Sequence, residues 1–462
     1  MATVSSDLGK LRQEFRGELI RATDEEYEAA RRVWNGMIDR RPKLIARCVD
    51  ANDVAVVIAH AREHSLPLAI RGGGHNVAGS AMCDGGVVID FARMKYVGID
   101  PGRRTARVQP GVVWGEFDRE AQGHGLTTTG GLVSSTGVAG LTLGGGIGWL
   151  MRAHGLSCDN LVGAEVVTAG GEQVRADEHE NPELLWALRG GGGNFGVVTA
   201  FEFRLHEAGP LVDGGLVMHS LDRAAELLRF YRDWTRTLPD SVTTFLAFMT
   251  APPLPFVPQD LVGKPVVAVV VCGIARDAGS RAAIAELQAF GPPAVDVIGE
   301  MPYLALQTMF DPGAPAGLRN YWKSSYLDEL SDGAIEVLVA AAGQARSPLS
   351  AIHIHQMGGA VARVPADATA FANRSAAFVS NIIAQWETPE HDGENITWAR
   401  KHFARLEPHA RGAYVNFLGE EGAARTRAAY GEATYRRLAA LKRLYDPDNV
   451  FRLNQNIAVA AG

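Results

Sequence analysis

Arg71-Gly72-Gly73-Gly74-His75-Asn76-Val77-Ala78-Gly79-Ser80 follows the apolar run Leu66-Pro67-Leu68-Ala69-Ile70, which reads as a short buried strand. Three consecutive glycines beside an arginine let the backbone fold tightly and aim several N–H groups at one point. Such a nest suits a phosphate or pyrophosphate, because no Cβ holds the ligand away. His75 then stands where a ligand held by the loop would pass. Alone, a glycine-rich turn with one histidine is a weak signal, and its meaning depends on the rest of the chain.

Working outward, the pattern is that of an α+β unit. Pro42–Cys48 reads as a strand, and Asp50 with Asp53 offers caps for a helix through about His64 whose Val54, Val57, Ile58 and Ala61 share a face. Val87–Phe91 and Arg104–Gln109 read as strands, a helix starts within Gly111–Asp118, and residues 6–35 are charged and helix-prone. Two further small-residue loops follow, Thr127–Gly148 and Leu188–Gly196, separated by Gly155–Leu161 and the strand Gly163–Thr168. Gly191, Gly193 and Gly196 satisfy the GxGxxG pattern of a dinucleotide-binding unit, but Val197–Phe203 after them reads as a strand rather than a helix, which argues against a Rossmann domain. Three glycine loops in one half of the chain look like several backbone approaches to one long ligand.

Beyond residue 207 the character changes. Helical stretches (Ala224–Trp234, Gly279–Phe290) alternate with β-like runs (Val266–Val271, Ser350–His355), as expected of a second α+β domain with an antiparallel sheet. A last helix over Glu432–Tyr445 places Tyr435, Leu438 and Leu441 on one face and ends at Asp446-Pro447-Asp448-Asn449.

Length and composition set the outer limits. A chain of 462 residues calls for two or three domains. Its 52 glycines, about 11% against a usual ~7%, lie largely before residue 200. A net charge of −7 without a basic tract argues against nucleic-acid binding. Cys48, Cys83, Cys158 and Cys272 show neither a disulfide framework nor zinc-ligand spacing, so no metal site is expected. The absence of a basic-then-apolar N-terminus and of any long apolar run leads us to expect a cytoplasmic protein with no membrane span.

The segments Arg71–Ser80, Thr136–Gly148, Gly155–Asn160, Gly190–Phe203 and Tyr445–Ile457, taken in order, resemble the berberine-bridge-enzyme-like FAD-linked oxidases of the vanillyl-alcohol-oxidase (PCMH-type) flavoprotein superfamily. The resemblance covers essentially the whole chain. It implies an α+β fold: a PCMH-type FAD-binding domain of two subdomains (1–206), a substrate-binding domain with an antiparallel sheet covered by helices (207–410), and a C-terminal segment (411–462) returning to the first domain. It implies a covalent bond from His75 to the flavin 8α-methyl group, a small-molecule substrate, O2 as acceptor, and a monomer or homodimer. FAD contacts are expected from Arg71, Gly72, Gly73, Gly74, His75, Asn76, Gly79 and Ser80; from Gly131, Val133, Ser135, Thr136, Val138, Gly140, Gly145 and Gly146; and from Gly196, Val198, Tyr414, Asn416 and Asn454.

The sequence also departs from the family. Val133 stands where many relatives carry a cysteine bonded to flavin C6, so no second link is expected, and Cys158 is read as a small buried residue. Thr136 falls at the position that controls O2 access and is small enough to admit it. In Tyr414-Val415-Asn416-Phe417 the phenylalanine replaces a tyrosine that serves relatives as the base, and Ser380-Asn381 occupy the region of another family acid after Arg374. What remains for catalysis is His355 with His353 on the same strand face, a pair expected to act as a base poised near neutral pH, with Tyr414 and Thr136 as further catalytic positions. Tyr321–Tyr326 resembles a family strand lying over the cofactor. The reaction implied is hydride removal from an amine, alcohol or secondary-metabolite intermediate, with an amine or polyketide-like enol favoured over a sugar. The alternatives are a dehydrogenase of the same fold with another acceptor, and a degenerate binding protein.

Overall fold

The first glycine loop is launched from the edge of a small, mostly parallel sheet. In the computed structural model, which describes residues 9–459, Asp50 accepts the Asp53 backbone N–H at 2.9 Å and starts the helix Ala51–Glu63. That helix buries Val54, Val57, Ile58 and Ala61. It crosses over between Leu44–Arg47 and Leu68–Arg71, so both strands run parallel to Val87–Asp90, which lies between them. The expectation of continuous helix near the N-terminus is corrected. A helix over Gly9–Glu14 is followed by the strand Glu18–Arg21, antiparallel to Leu44–Arg47, and by a single turn, Tyr27–Ala30. Burial of Ile20 and the ladder to Leu44–Arg47 outweigh the helix propensity of the charged residues around them. Residues 6–8 lie outside the described residues.

A five-stranded antiparallel sheet comes next, in the order Val97–Asp100, Thr105–Val108, Val197–Arg204, Leu161–Val167, Gln173–Asp177. Val197–Arg204 is its central strand, so the chain after the GxGxxG match is a strand, as read from its β-branched and aromatic content. Phe201 and Phe203 pack with Trp114 and Phe117 of the helix Trp114–Gln122. The C-terminal helix Glu432–Tyr445 adds Leu438 and Leu441 to the same core. Lys442, fully buried, ties it down by donating to Asp446 (2.7 Å) and to the carbonyls of Asn194 and Phe451 (2.9 Å each).

The strands between Leu211 and Trp386 form an eight-stranded antiparallel sheet in the order Val295–Asp296, Leu211–Ser220, Pro265–Gly273, Val242–Thr250, Ala351–Gln356, Phe378–Trp386, Arg319–Leu327, with Gly299–Pro302 also paired to Leu211–Ser220. Side chains alternate between its faces. Leu246, Val267, Val269, Ile352, Ile354 and Ile382 pack under the helices Ala224–Trp234, Ala278–Gln288, Asp332–Ala342 and Asp392–Leu406. Phe245, Ala247, His353, His355, Asn381 and Ile383, from the other face, look into a cavity shared with the glycine loops. The chain is thus a mixed α+β fold of the PCMH type. Among the described residues no helix is long and apolar enough to cross a membrane.

Candidate active site

The first two glycine loops touch backbone to backbone. A Cβ at Gly73 would sit 2.5 Å from the Gly137 nitrogen, and one at Gly137 would sit 2.5 Å from the Gly73 nitrogen, so neither position tolerates a side chain. Gly74 takes φ +68°, and its carbonyl accepts the Trp34 backbone N–H at 3.1 Å. His75 is thereby set at the cavity wall. Its ring stacks on the Trp34 indole (centroids 4.4 Å apart, planes 19° apart), and Nε2 lies 3.2 Å from Ser135 Oγ. Burial in this recess pushes its pKa down to about 4, so the imidazole is neutral at pH 7.

The second loop is held by the C-terminal segment. Gly145 and Gly146 have φ +122° and +89°. The Tyr414 hydroxyl accepts the Gly146 N–H at 2.8 Å and the Ile147 N–H at 3.3 Å. Asn416 Nδ2 donates to that hydroxyl and to the Leu141 carbonyl, both at 2.9 Å. At the third loop Asn454 Nδ2 donates to the Gly193 carbonyl at 2.9 Å, and Asn194 Oδ1 accepts the Ile457 N–H at 3.1 Å.

Together the loops and the large sheet enclose about 1300 Å³. A usual small-molecule site holds ~300–1,000 Å³, so this volume has room for an extended cofactor and a second molecule. Gly72, Gly73, Gly74, His75, Asn76, Ser80, Val133, Thr136, Gly140, Gly196, Val198, Tyr414, Asn416, Asn454 and His355 all lie on its wall.

Arg71, Gly79, Gly131, Ser135, Val138, Gly145 and Gly146 do not line it and act from behind. Arg71 donates to the Ala30 carbonyl and packs under Gly74, Gly131 accepts from Gln307, and Ser135 reaches the site only through His75. Gly79 fits against Ile38, Gly146 fits against Ser157, and Val138 is fully buried in the core of the five-stranded sheet. Sequence reading missed Gly144, Gly192, Gly193, Asn194 and Gln455, all on the wall and all inside motifs already singled out. It also missed Trp34, for which a lone aromatic carries no signal, and within Tyr321–Tyr326 it did not single out Trp322.

An aromatic path joins His75 to the large sheet. Trp34 meets Trp322 (5.6 Å), Trp322 meets Phe417 (5.6 Å), and Phe417 meets His355 (5.8 Å). Arg319–Leu327 therefore does lie on the cavity, through Trp322. His353 and His355 face it side by side, ring centroids 5.7 Å apart, with Phe245 5.3 Å from each.

Two expectations are corrected here. The histidine pair is not poised near neutral pH: burial takes His353 down to about 4 and, with His353 beside it, takes His355 well below the ordinary value. Both rings are neutral hydrogen-bonding groups rather than strong bases. Tyr414 is a poor proton acceptor as well, because burial raises it to about 12, which keeps it protonated, and N–H groups of Gly146, Ile147 and Asn416 already crowd its oxygen. Arg374 binds Asp159 (2.6 and 3.0 Å), with no acid on Phe378–Trp386. Cys158 is fully buried away from the cavity wall, its thiol raised by burial.

The wall suits FAD on its own evidence. Gly140 has open space where a Cβ would stand, and Gly193 has only Asn454 Nδ2 within 3.8 Å. Asn454 Oδ1 and Tyr430 Oη, both of wall residues, are buried without a hydrogen-bond partner. Comparison with known proteins agrees. Residues 42–177 match the family described as FAD binding domain, and residues 413–458 match the family described as berberine and berberine like.

Over 460 residues the chain is 32% identical to (R)-6-hydroxynicotine oxidase of Paenarthrobacter nicotinovorans, covering 96% of this chain and 97% of that one. It is 30% identical over 450 residues to an FAD-linked oxidoreductase of Dictyostelium discoideum, covering 96% and 95%. The crystal structure of 6-hydroxy-D-nicotine oxidase from Arthrobacter nicotinovorans superposes with a TM-score of 0.87 at 30% identity, covering 96% of this chain and 98% of that one. The glycine-loop cavity, the sheet above it and these relatives place the chain in the berberine-bridge-enzyme-like family of FAD-linked oxidoreductases, as an FAD-binding enzyme.

Proposed function

We propose that the protein is an oxidase that carries FAD covalently through His75 and oxidises a small organic molecule held between the flavin and the large sheet. Bound FAD supplies hydride acceptance from a substrate C–H bond and transfer of the two electrons to O2, giving H2O2. Residues 1–206 and 411–462 hold the cofactor, and 207–410 shape the substrate chamber. The observation that carries the reading is His75 itself: neutral, stacked on Trp34 and steadied by Ser135 where the glycine loops meet. A neutral ring nitrogen keeps the lone pair that bonding to the 8α carbon requires. That bond replaces one C–H and one N–H, and the two electrons released go to O2.

Val133, with no sulfur, leaves His75 as the single attachment. Thr136 on the wall is short and leaves O2 a path to the ring. His355, a neutral hydrogen-bonding group on the wall, orients the substrate.

The test is the absorbance of acid-precipitated protein. Yellow colour retained by the wild type and released by His75→Ala, together with peroxide formation on turnover, supports the proposal. Colour still bound in His75→Ala refutes the single link, and colourless protein refutes the oxidase reading.

A further inference from the structure

Among the described residues lining the 1300 Å³ cavity there is no aspartate, glutamate, lysine or arginine. Away from the glycine-loop N–H groups that suit the cofactor's pyrophosphate, an ionised substrate group would lose its hydration and find no counter-charge. Two polar atoms on the wall formed by the large sheet stand out as unpartnered. His355 Nε2 and Asn381 Oδ1 are both buried, on cavity-facing residues that are 3% and 1% exposed, and neither has a partner. Their strands are adjacent in the sheet, His353 pairing with Asn381 and His355 with Val379, so His355 and Asn381 are diagonal neighbours on the cavity face.

The mouth of the cavity is apolar too. Leu254, Phe256, Val297 and Leu349 all line it, and all belong to the small set of exposed large hydrophobics, at 38–45% exposure. Exposed apolar side chains that also line a cavity mark a binding surface continuous with its interior.

We infer, resting on the oxidase reading above, that the substrate is an uncharged lipophilic molecule presenting one hydroxyl to His355 and Asn381, with an apolar chain lying along Leu254, Phe256, Val297 and Leu349. The hydroxyl donates to Asn381 Oδ1, and its oxygen accepts from His355 when Nε2 carries the imidazole proton. Both orphaned atoms are then satisfied by a single group.

The experiment uses the flavin-loaded protein and reads Kd from the change in flavin absorbance at pH 7.5. The probes are 4-hexylbenzyl alcohol, 4-hexylbenzylamine and 4-hexylbenzoate, with the 4-methyl and 4-butyl alcohols as a length series. The alcohol is expected to bind at least about 30-fold more tightly than either ion. Each added methylene should tighten the alcohol by roughly twofold, and by about fourfold where it is fully buried. Leu349→Asp should weaken the hexyl alcohol and leave the methyl alcohol unchanged.

Asn381→Asp, nearly the same shape with a charge added, should shift the preference toward the amine, which a merely damaged fold would not do. The inference is overturned if an ion binds as well as the alcohol, if chain length has no effect, if Asn381→Asp leaves the preference unchanged, or if none of the probes binds. Any of these leaves the oxidase reading standing, since that reading fails on flavin content and peroxide rather than on substrate preference.

Discussion

Replacing Gly73 by alanine puts a methyl carbon 2.5 Å from the Gly137 nitrogen and 2.6 Å from the Gly137 Cα. Ordinary contact begins near 3.4 Å, so the two loops must part by about 1 Å, and both obstructing atoms are backbone with no rotamer to yield. Overpacking of this kind costs ~1–3 kcal/mol, and this geometry belongs at the upper end. For a unit of about 250 residues that lowers the thermal midpoint by roughly 5–10 °C. The same displacement moves His75 and the loop N–H groups off the flavin, which at ~3 kcal/mol weakens the non-covalent binding of FAD that precedes attachment on the order of 100-fold.

Gly140→Ala is the partner variant. It meets no protein atom within 4 Å, so the flavin-free fold should melt as the wild type does while the added methyl group intrudes on the cavity. Differential scanning fluorimetry on flavin-loaded and flavin-depleted protein, with the ratio of flavin to protein absorbance, reads both quantities. A Gly73→Ala protein with wild-type melting and full flavin content would refute the claim that the loops are in contact as described.

Tyr414→Phe removes the acceptor for two buried N–H groups and should cost about 1–3 kcal/mol, read as a lower urea midpoint; an unchanged pH–rate profile is expected because a hydroxyl raised to about 12 stays protonated. Lys442→Met leaves Asp446 charged and buried, so a loss on the order of 3–5 kcal/mol is expected, and Lys442→Met/Asp446→Asn should recover part of it in chemical denaturation. Acid should weaken the fold through His206, His353 and His402, each lowered by burial from an ordinary 6.5 to about 4. Between those values the unfolded chain binds more protons, so stability is complete above pH 6.5 and falls toward pH 4, by at most about 3 kcal/mol per group. An equal urea midpoint at pH 7.5 and pH 5 would contradict this.

Much of the fold was legible from local pattern. The helices Ala224–Trp234 and Glu432–Tyr445 and the strand after Gly196 follow from hydrophobic period and β-branched content, which depend on neighbours a few residues apart. The first-half glycines mark the loops for the same reason, since backbone freedom is a property of the residue itself.

What lay beyond local pattern is whatever distance in the chain brings together. The strand Glu18–Arg21 exists because Leu44–Arg47 pairs with it, which no window of charged residues reveals. Trp34 reaches His75 from a part of the sequence with no mark of its own, and its meeting with Trp322 joins segments far apart in the chain. The histidine pair was visible as two residues on one strand face, but its protonation was not, because a pKa is set by the burial that the whole fold imposes. The family, the cofactor and the tethering candidate were legible without coordinates, since they follow from the resemblance carried by ordered motifs from Arg71–Ser80 to Tyr445–Ile457. That no charged residue lines the chamber among the described residues, and that its mouth is apolar, follows only from the folded chain, because it depends on which side chains from distant strands and loops face the same space.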